Sequence, residues 1–386
     1  MKQMIVVQNR KQKTPVLLIL AALAFFIFTA IVCAQQPTAR TRQQTTNSTP
    51  AVKQQPVTLP SKSPSVSPLP KQTPTPSSKV ESSADDDEVI RVTSNLVVVP
   101  VSVTDATGQP VLRLQATDFR LEEDNRPQQI ARLGDAEQVP LEIAMLLDVS
   151  GSVNARFSFE KEAAVRFLKQ ILKPADHASI FAIDAQPRLE QTRASLGAAS
   201  AKLLAIQPAR SSTAFYDTVV DAAQYLAKSA PAGARRVIIV ISDGEDNNSE
   251  KIKAAREQAT TLAQRLAVQT RARAEVQREL QRTDAIFYSL NPSGESLRLN
   301  VISTRAQQGM QQFATATGGA AFTPERETDL DVIFRQIAGE LRSQYLLQYY
   351  SQNASPNGTF LSIKVRTPSR ADLRIRARQG YYTKNR

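Results

Sequence analysis

Five oxygen-bearing side chains in this sequence have the types and the spacing needed to bind a hard divalent cation. Three of them, Asp148, Ser150 and Ser152, stand at alternate positions, and Gly151 between the serines allows a tight turn. One carboxylate and two hydroxyls in such a turn can converge on Mg²⁺, Mn²⁺ or Ca²⁺, which prefer oxygen ligands. The remaining ligands must come from elsewhere in the chain.

The neighbouring residues indicate where this turn lies in a fold. Ile143–Leu147 is continuously apolar, as in a buried parallel strand, and Asp148 follows it directly. Val237–Ile241 is a second run of this kind, and Asp243 follows it after one serine. The carboxyl ends of parallel strands share the edge where open α/β sheets bind their ligands. We therefore expect Asp148 and Asp243 to lie at the same edge.

Thr213 completes the predicted ligand set. It lies in a polar turn that leads into the predicted helix Ala214–Ala227, so its hydroxyl is expected near the same edge. The sequence thus predicts an all-oxygen metal site formed by Asp148, Ser150, Ser152, Thr213 and Asp243. The alternative, that these are only capping and turn residues, stays open at this point.

Three further carboxylates are weaker candidates for supporting these ligands. Asp217 lies in the predicted helix, whereas Glu245 and Asp246 lie in the turn after Asp243. Each also has an ordinary structural explanation. Asp217 can accept hydrogen bonds within the fold, and the other two can be solvated turn residues.

The stretch from Leu141 to Ser343 alternates strand and helix patterns. This alternation predicts an α/β domain over 141–343, with a mostly parallel central sheet, helices on both faces and right-handed connections. Besides the runs already named, the predicted elements are strands at Ala178–Ile183, Ala285–Leu290 and Ala320–Thr323 and helices at Glu160–Leu172, Leu196–Ile206, Gln307–Thr317 and Leu330–Leu341.

Segments rich in β-branched residues flank this domain over 89–138 and 344–386. Strands are predicted at Val89–Thr104, Phe119–Glu123, Gln128–Leu133, Tyr345–Tyr350, Leu361–Val365 and Leu373–Ala377. Each flank is too short to bury much surface by itself. We expect the two flanks to meet where the ends of the central domain come together and to form one small all-β sandwich.

The five predicted ligands resemble the metal-ion-dependent adhesion site (MIDAS) of von Willebrand factor type A (VWA) domains. The resemblance covers Leu141–Ser343 and includes DVSGS, SSTAFYDTV and VIIVISDGEDN. With the β-rich flanks and a tail containing YLLQYY and GYY, the chain resembles the exported bacterial branch of that family. The resemblance implies a Rossmann-like fold. It also implies that Ser150, Ser152 and Thr213 contact the ion through hydroxyls, and that the aspartates bind directly or through water.

The N-terminal residues predict export. Residues 1–34 resemble a signal peptide or signal anchor, because four basic residues precede the apolar run Val16–Val32. Residues 35–88 are rich in Pro, Ser, Thr and Gln and are predicted to be a disordered spacer. The rest of the chain is then periplasmic or extracellular, and either secreted or anchored to the inner membrane. Cys33 is the only cysteine, so no disulfide is expected in the exported part.

Residues 250–282 are predicted to be a long helical insertion with many arginines and a thin apolar stripe at Leu262, Leu266 and Val276. One interpretation is a solvated helix that borders the domain. The other is a projecting arm that engages an anionic partner or a second subunit.

Composition argues against two classes of function. The net charge is +12, but no aromatic residues stand among the arginines, and export also argues against nucleic-acid binding. The only histidine, His177, is predicted at the start of a strand, at the opposite end of the sheet from Asp148. No glycine-rich phosphate loop or Gly-x-Ser-x-Gly motif is present, so no catalytic residue is assigned.

We therefore expect an extracytoplasmic binding or adhesion protein rather than an enzyme. Its cation, Mg²⁺ or else Mn²⁺ or Ca²⁺, would be bridged to a carboxylate of a protein or glycan ligand. The alternative is a structural or assembly scaffold of the cell envelope, in which the metal only stabilises the loops.

Overall fold

The structure, a computed structural model, describes residues 96–150, 155–209, 211–292, 301–326 and 328–384. Contacts divide the chain into two units, Met1–Asp85 and Asp86–Arg386, and the first unit lies outside the described residues. The predicted signal segment and spacer therefore also lie outside them. Within the described ranges, no helix combines the length and the apolar character needed to span a bilayer.

Fourteen strands and seven α-helices make up the described part of the chain. The strands are β1 (Leu96–Thr104), β2 (Arg120–Glu123), β3 (Arg126–Gln128), β4 (Arg132–Asp135), β5 (Leu141–Asp148), β6 (His177–Ile183), β7 (Pro187–Ala194), β8 (Arg235–Ile241), β9 (Ala285–Leu290), β10 (Ala321–Phe322), β11 (Tyr345–Tyr350), β12 (Phe360–Arg366), β13 (Arg374–Ala377) and β14 (Gly380–Tyr382). The helices are α1 (Ala155–Ile171), α2 (Leu196–Ala205), α3 (Phe215–Ser229), α4 (Glu250–Gln258), α5 (Leu262–Arg282), α6 (Val301–Thr317) and α7 (Asp329–Ser343). Short 3₁₀ helices cover Ala116–Asp118 and Ala136–Gln138.

The central sheet has six strands in the order β10-β9-β8-β5-β6-β7. All neighbouring pairs are parallel except β6 and β7, which are antiparallel. The predicted mostly parallel α/β sheet is confirmed. Because β5 lies between β8 and β6, the residues that follow these three strands meet at the carboxyl edge of the sheet.

Both faces of the sheet are covered by helices, as the unbroken apolar runs predict. Ile143, Met145 and Leu147 of β5 face a core shared with α1, α2 and α7. Ala144 and Leu146 face the opposite core, which α3, α4, α5 and α6 complete. All five side chains are fully buried, and this packing fixes the end of β5 and therefore the position of Asp148.

The two flanking segments form a β-sandwich, as expected. One sheet has the order β13-β1-β11-β4 and the other β14-β12-β2-β3, so each sheet combines strands from both flanks. Val99 and Val101 of β1, Leu121 of β2, Leu347 of β11 and Ile363 of β12 share one buried core. Neither flank can form this core alone.

Three local features differ from the sequence expectations. The predicted strand Gln128–Leu133 is wrong, because β3 ends at Gln128 and the next residues cross to the other sheet. The edge strand β7 was not expected, since PRLEQTRA is mostly polar and begins with proline, which only an edge strand tolerates well. The predicted insertion 250–282 is two helices, because Thr261 caps α5 and forms a capping box with Gln264.

The chain passes between sandwich and sheet at the edge opposite Asp148. Arg235, at the start of β8, is 5% exposed and donates hydrogen bonds to the carbonyls of Ala136 and Leu341 at 2.7 and 2.5 Å. These carbonyls lie just before β5 and near the end of α7. Burial lowers the pKa of Arg235 to about 10, with Arg342 adding to the effect. The joint therefore leaves the carboxyl edge of the sheet uncovered by the sandwich.

Candidate metal site at the carboxyl edge

Asp148 ends β5, and hydrogen bonds fix both of its carboxylate oxygens. The backbone N–H and the hydroxyl of Ser150 donate to Oδ1 at 3.0 and 2.6 Å, which closes the predicted tight turn. The hydroxyl of Ser242 donates to Oδ2 at 2.6 Å. Ser242 is itself oriented, because it accepts a hydrogen bond from the Gly244 N–H at 3.0 Å. The carboxylate is therefore held in one orientation by two neighbouring strand ends.

Strand register explains why Ser242 reaches Asp148. Leu147 pairs with Ile241 across β5 and β8, so the next residues along the two strands are Asp148 and Ser242. Ser242 was not among the ligands predicted from the sequence, although the alignment of the two apolar runs at their ends places it beside Asp148.

Asp243 follows Ser242 and lies close to Asp148. Burial raises the pKa of Asp243 above its ordinary value, and the negative charges of Asp148 and Glu245 raise it further, against a backbone hydrogen bond from Glu245 at 2.9 Å. Two carboxylates in mutual repulsion at a partly buried position are stabilised when a cation lies between them. The pair Asp148 and Asp243 therefore suits a cation.

The Thr213 loop is bonded to the Asp243 loop. The Thr213 N–H donates to the Asn247 side-chain oxygen at 2.8 Å, and its carbonyl accepts from the Asn247 and Asn248 N–H groups at 3.1 and 3.0 Å. Thr213 is 6% exposed and lies two residues before α3. As predicted, it stands near a helix N-terminus at the carboxyl edge.

A second set of bonds joins the Thr213 loop to the turn after β5. The Ala209 N–H donates to the Val149 carbonyl at 2.6 Å. Asp184, directly after β6, accepts from the Ser211 hydroxyl and, through its carbonyl, from the Ala214 N–H at 2.8 Å. The loops that carry Asp148, Ser150, Thr213 and Asp243 thus form one hydrogen-bonded unit.

The von Willebrand factor type A domain model matches residues 143–245. This chain contains a von Willebrand factor type A domain. The matched stretch runs from β5 through the Asp243 loop and includes every predicted ligand. A sequence comparison with curated proteins gives no match.

Three solved structures illustrate what the chain is similar to. BatB from Bacteroides thetaiotaomicron is 18% identical over 53% of this chain and 100% of its own, with a TM-score of 0.35. A von Willebrand factor type A structure from Catenulispora acidiphila is 14% identical over 65% of this chain and 51% of its own, with a TM-score of 0.40. The type V pili tip protein Mfa5 from Porphyromonas gingivalis is 12% identical over 52% of this chain and 94% of its vWF domain, with a TM-score of 0.36. These likenesses are too low to transfer a function.

The donor set in the type A domain fits a hard cation. Asp148, Ser150, Thr213 and Asp243 supply only oxygen atoms, and Ser152 lies outside the described residues. Among the residues that the structure describes, no group of three or more His, Cys, Asp or Glu could hold a metal ion. A cation here would therefore depend on hydroxyls and water as well as on two carboxylates.

The weaker candidates have clear structural partners. Asp246 is partly buried and accepts hydrogen bonds from the Tyr216 N–H at 2.8 Å and from the N–H and hydroxyl of Ser249 at 3.0 and 2.5 Å. Asp217 accepts from the Glu250 N–H at 2.8 Å. Both therefore hold the first turns of α3 and α4 together, and Asp246 is not a solvated turn residue.

Glu245 lies at the other side of the same loop. Its carboxylate accepts a hydrogen bond from the Ser303 hydroxyl in α6 at 2.6 Å and is only partly exposed. This contact ties the Asp243 loop to the first turn of α6.

His177 stands at the start of β6, where it pairs in register with Glu142 at the start of β5. Its Nδ1 lies 3.5 Å from the Glu142 carboxylate. The single histidine is thus at the opposite end of the sheet from Asp148, as predicted.

Proposed function

We propose that this protein recognises a protein partner through a divalent cation at the carboxyl edge of its type A domain. The observation that carries the proposal is the convergence of Asp148 and Asp243, two carboxylates from adjacent parallel strands, with Ser150 and Thr213 in loops bonded to them. Mg²⁺ is the preferred ion, with Mn²⁺ and Ca²⁺ as the other oxygen-seeking choices. The cation would supply positive charge to which a partner carboxylate can bind.

The donor types explain why a carboxylate is the favoured ligand. Two aspartates supply at most two negative charges, and their neighbours supply neutral hydroxyls. Because hydroxyl oxygens donate little charge, the bound cation keeps a strong attraction for one more anionic oxygen. A glutamate or aspartate of a partner meets this need.

The residues of this chain prepare the site before a ligand arrives. Ser150 and Ser242 fix both oxygens of Asp148, and Asn247 fixes the Thr213 backbone. Preorganised donors cost less free energy to order on binding. The sandwich is joined at the opposite edge, so a macromolecular partner can approach.

Location is part of the proposal. The predicted signal segment and spacer would place the domain outside the cytoplasm and carry it away from a membrane. The site would then meet envelope or extracellular proteins, and no catalytic step is assigned to it.

The test is a binding measurement on the full-length chain in mild detergent. Envelope or extracellular extracts are passed over wild type and Asp148→Ala, each with Mg²⁺ and with chelator. We expect specific partners to be retained only by wild type with Mg²⁺. Partners that persist unchanged in chelator and on Asp148→Ala would contradict the cation bridge. They would instead support a structural scaffold in which the metal only stabilises the loops.

A further inference from the structure

Helices α4 and α5 form an antiparallel hairpin. Near its base, Lys251 at the start of α4 forms an ion pair with Glu275 of α5. Near its tip, the Arg265 Nε donates to the Ala259 carbonyl at 3.4 Å. The start of α4 thus contacts the second half of α5, whereas the residue just after α4 contacts the first turn of α5. The two helices are therefore antiparallel.

The base of this hairpin stands beside the candidate metal site. The Glu250 N–H, in the first turn of α4, donates to Asp217 in the first turn of α3, four residues after Thr213. The ion pair with Lys251 places Glu275 of α5 at the base of the hairpin as well. The helix between Leu262 and Glu275 rises about 20 Å, so the tip lies about 20 Å from the base.

Burial along α5 agrees with this placement. The four buried residues of the helix, Ala272, Val276, Leu280 and Gln281, all lie in its second half. None of the residues from Leu262 to Arg271, all of which the structure describes, is buried. The first half of α5 therefore borders the binding edge and packs against the core through Val268, which is partly buried. We call Glu250–Arg271 the arm.

The predicted apolar stripe of the insertion is thereby corrected. Val268, Ala272, Val276 and Leu280 face the core at intervals of one turn, while Leu262, the first residue of α5, is 70% exposed. The stripe was predicted to include Leu262, but the core contacts of this face begin at Val268, six residues after α5 starts.

Exposed apolar side chains and positively charged side chains occur on the arm and at the start of α6. Val301 and Ile302, at the start of α6, are 62% and 52% exposed, and the next residue, Ser303, bonds the Asp243 loop through Glu245. The arm carries five basic and two acidic residues. Arg265 and Arg271 are both exposed on α5. The surface next to the candidate cation thus combines positive charge with exposed apolar side chains.

We propose that the arm is a second contact surface for the partner, and that the partner segment is an acidic peptide with an apolar residue. The inference rests on the proposed function, because one acidic residue of the segment would occupy the cation. Neighbouring acidic residues would meet Arg265 and Arg271, and an apolar side chain would cover Leu262. Charge complementarity selects this occupant, since the arm and the cation attract the same sign of charge. The arm then confers selectivity among carboxylate ligands.

The test uses peptides selected by the full-length chain from a displayed random library in Mg²⁺ and released by chelator. We expect the recovered peptides to contain several acidic residues and at least one apolar residue. Affinities of a selected synthetic peptide are then compared for wild type, Arg265→Glu/Arg271→Glu, Leu262→Ser and Arg278→Glu. Arg278 is the matched control, because it is exposed on the same helix about 10 Å further from the tip than Arg271.

The double charge reversal is expected to weaken peptide binding about three- to tenfold, and Leu262→Ser to weaken it about twofold or more, with Arg278→Glu near wild type. Melting temperatures should stay close to wild type because all these side chains are exposed. Equal affinity for the arm variants and Arg278→Glu would overturn the inference while leaving the cation bridge intact. A library from which chelator releases no bound peptide would overturn both proposals.

Discussion

In the part of the chain that the structure describes, the same local turn forms around two aspartates, Asp105 and Asp148. In the first, the N–H and hydroxyl of Thr107 donate to Asp105 Oδ1 at 2.8 and 2.6 Å. In the second, the N–H and hydroxyl of Ser150 donate to Asp148 Oδ1 at 3.0 and 2.6 Å. A carboxylate followed by a hydroxyl two residues later therefore produces this turn at two unrelated places.

The surroundings of the two turns differ. Asp105 is partly exposed directly after β1, and the Gln109 N–H, from its own loop, is another donor to it. Asp148 is bonded by Ser242 from the adjacent parallel strand and lies close to Asp243. The comparison shows that the local pattern only forms a turn. A cation site needs the second carboxylate, which strand register supplies.

The largest difference between the two turns is expected when the aspartate of each is replaced by alanine and the effect of Mg²⁺ on stability is measured. Mg²⁺ that binds only the folded chain should raise its stability by about 2.7 kcal/mol when free ion is about 100 times Kd. Asp148→Ala should abolish the rise in melting temperature with Mg²⁺, whereas Asp105→Ala should keep it. Equal responses of the two variants would show that the Asp148 turn is nothing more than a turn.

Ser242→Ala removes the hydrogen bond from the adjacent strand to Asp148, which has no counterpart at the Asp105 turn. Because Ser242 orients the Asp148 carboxylate, its loss is expected to weaken Mg²⁺ binding about 10- to 100-fold. Thermal shift titrations of the full-length chain measure this change. Thr107→Ala, the control at the other turn, should leave Mg²⁺ affinity unchanged. An unaltered midpoint in Ser242→Ala would mean that Asp148 needs no support from β8.

Asp243→Asn distinguishes the effect of the second carboxylate on folding stability from its contribution to cation binding. Burial and repulsion from Asp148 disfavour the ionised Asp243, so the amide should raise the free energy of unfolding in chelator. Denaturant unfolding at neutral pH in chelator measures this difference. A clear loss of stability would show that the carboxylate is a structural acceptor instead.

The smallest effect is expected at Asp105 itself. The Thr107 hydroxyl and the Gln109 N–H hold the pKa of Asp105 below its ordinary value of 3.8. A lowered folded-state pKa contributes stability above the unfolded-state pKa, and that contribution disappears as pH falls through the folded-state value. NMR titration should therefore give a low pKa that moves back toward 3.8 in Thr107→Ala. No movement would mean that the hydroxyl bond is absent in solution.

The sequence predicted the features that depend on one chain segment. The apolar runs of β5 and β8 gave the parallel sheet and the positions of Asp148 and Asp243, and β11 was predicted with its observed bounds, Tyr345–Tyr350. Individual side-chain contacts between distant segments were missed. Ser242 becomes a partner of Asp148 only through the register of β5 and β8. Asp246 looked like a solvated turn residue because the helix ends that it joins are distant in sequence.

The most direct test of the central claim is Mg²⁺ binding by the full-length chain, measured calorimetrically for wild type and Asp243→Asn. Weak binding to the acidic run Asp85–Glu88 would be the same in both chains and therefore cancels. The account predicts one additional Mg²⁺ per wild-type chain and none in Asp243→Asn. Identical binding by the two chains would contradict a cation held between Asp148 and Asp243.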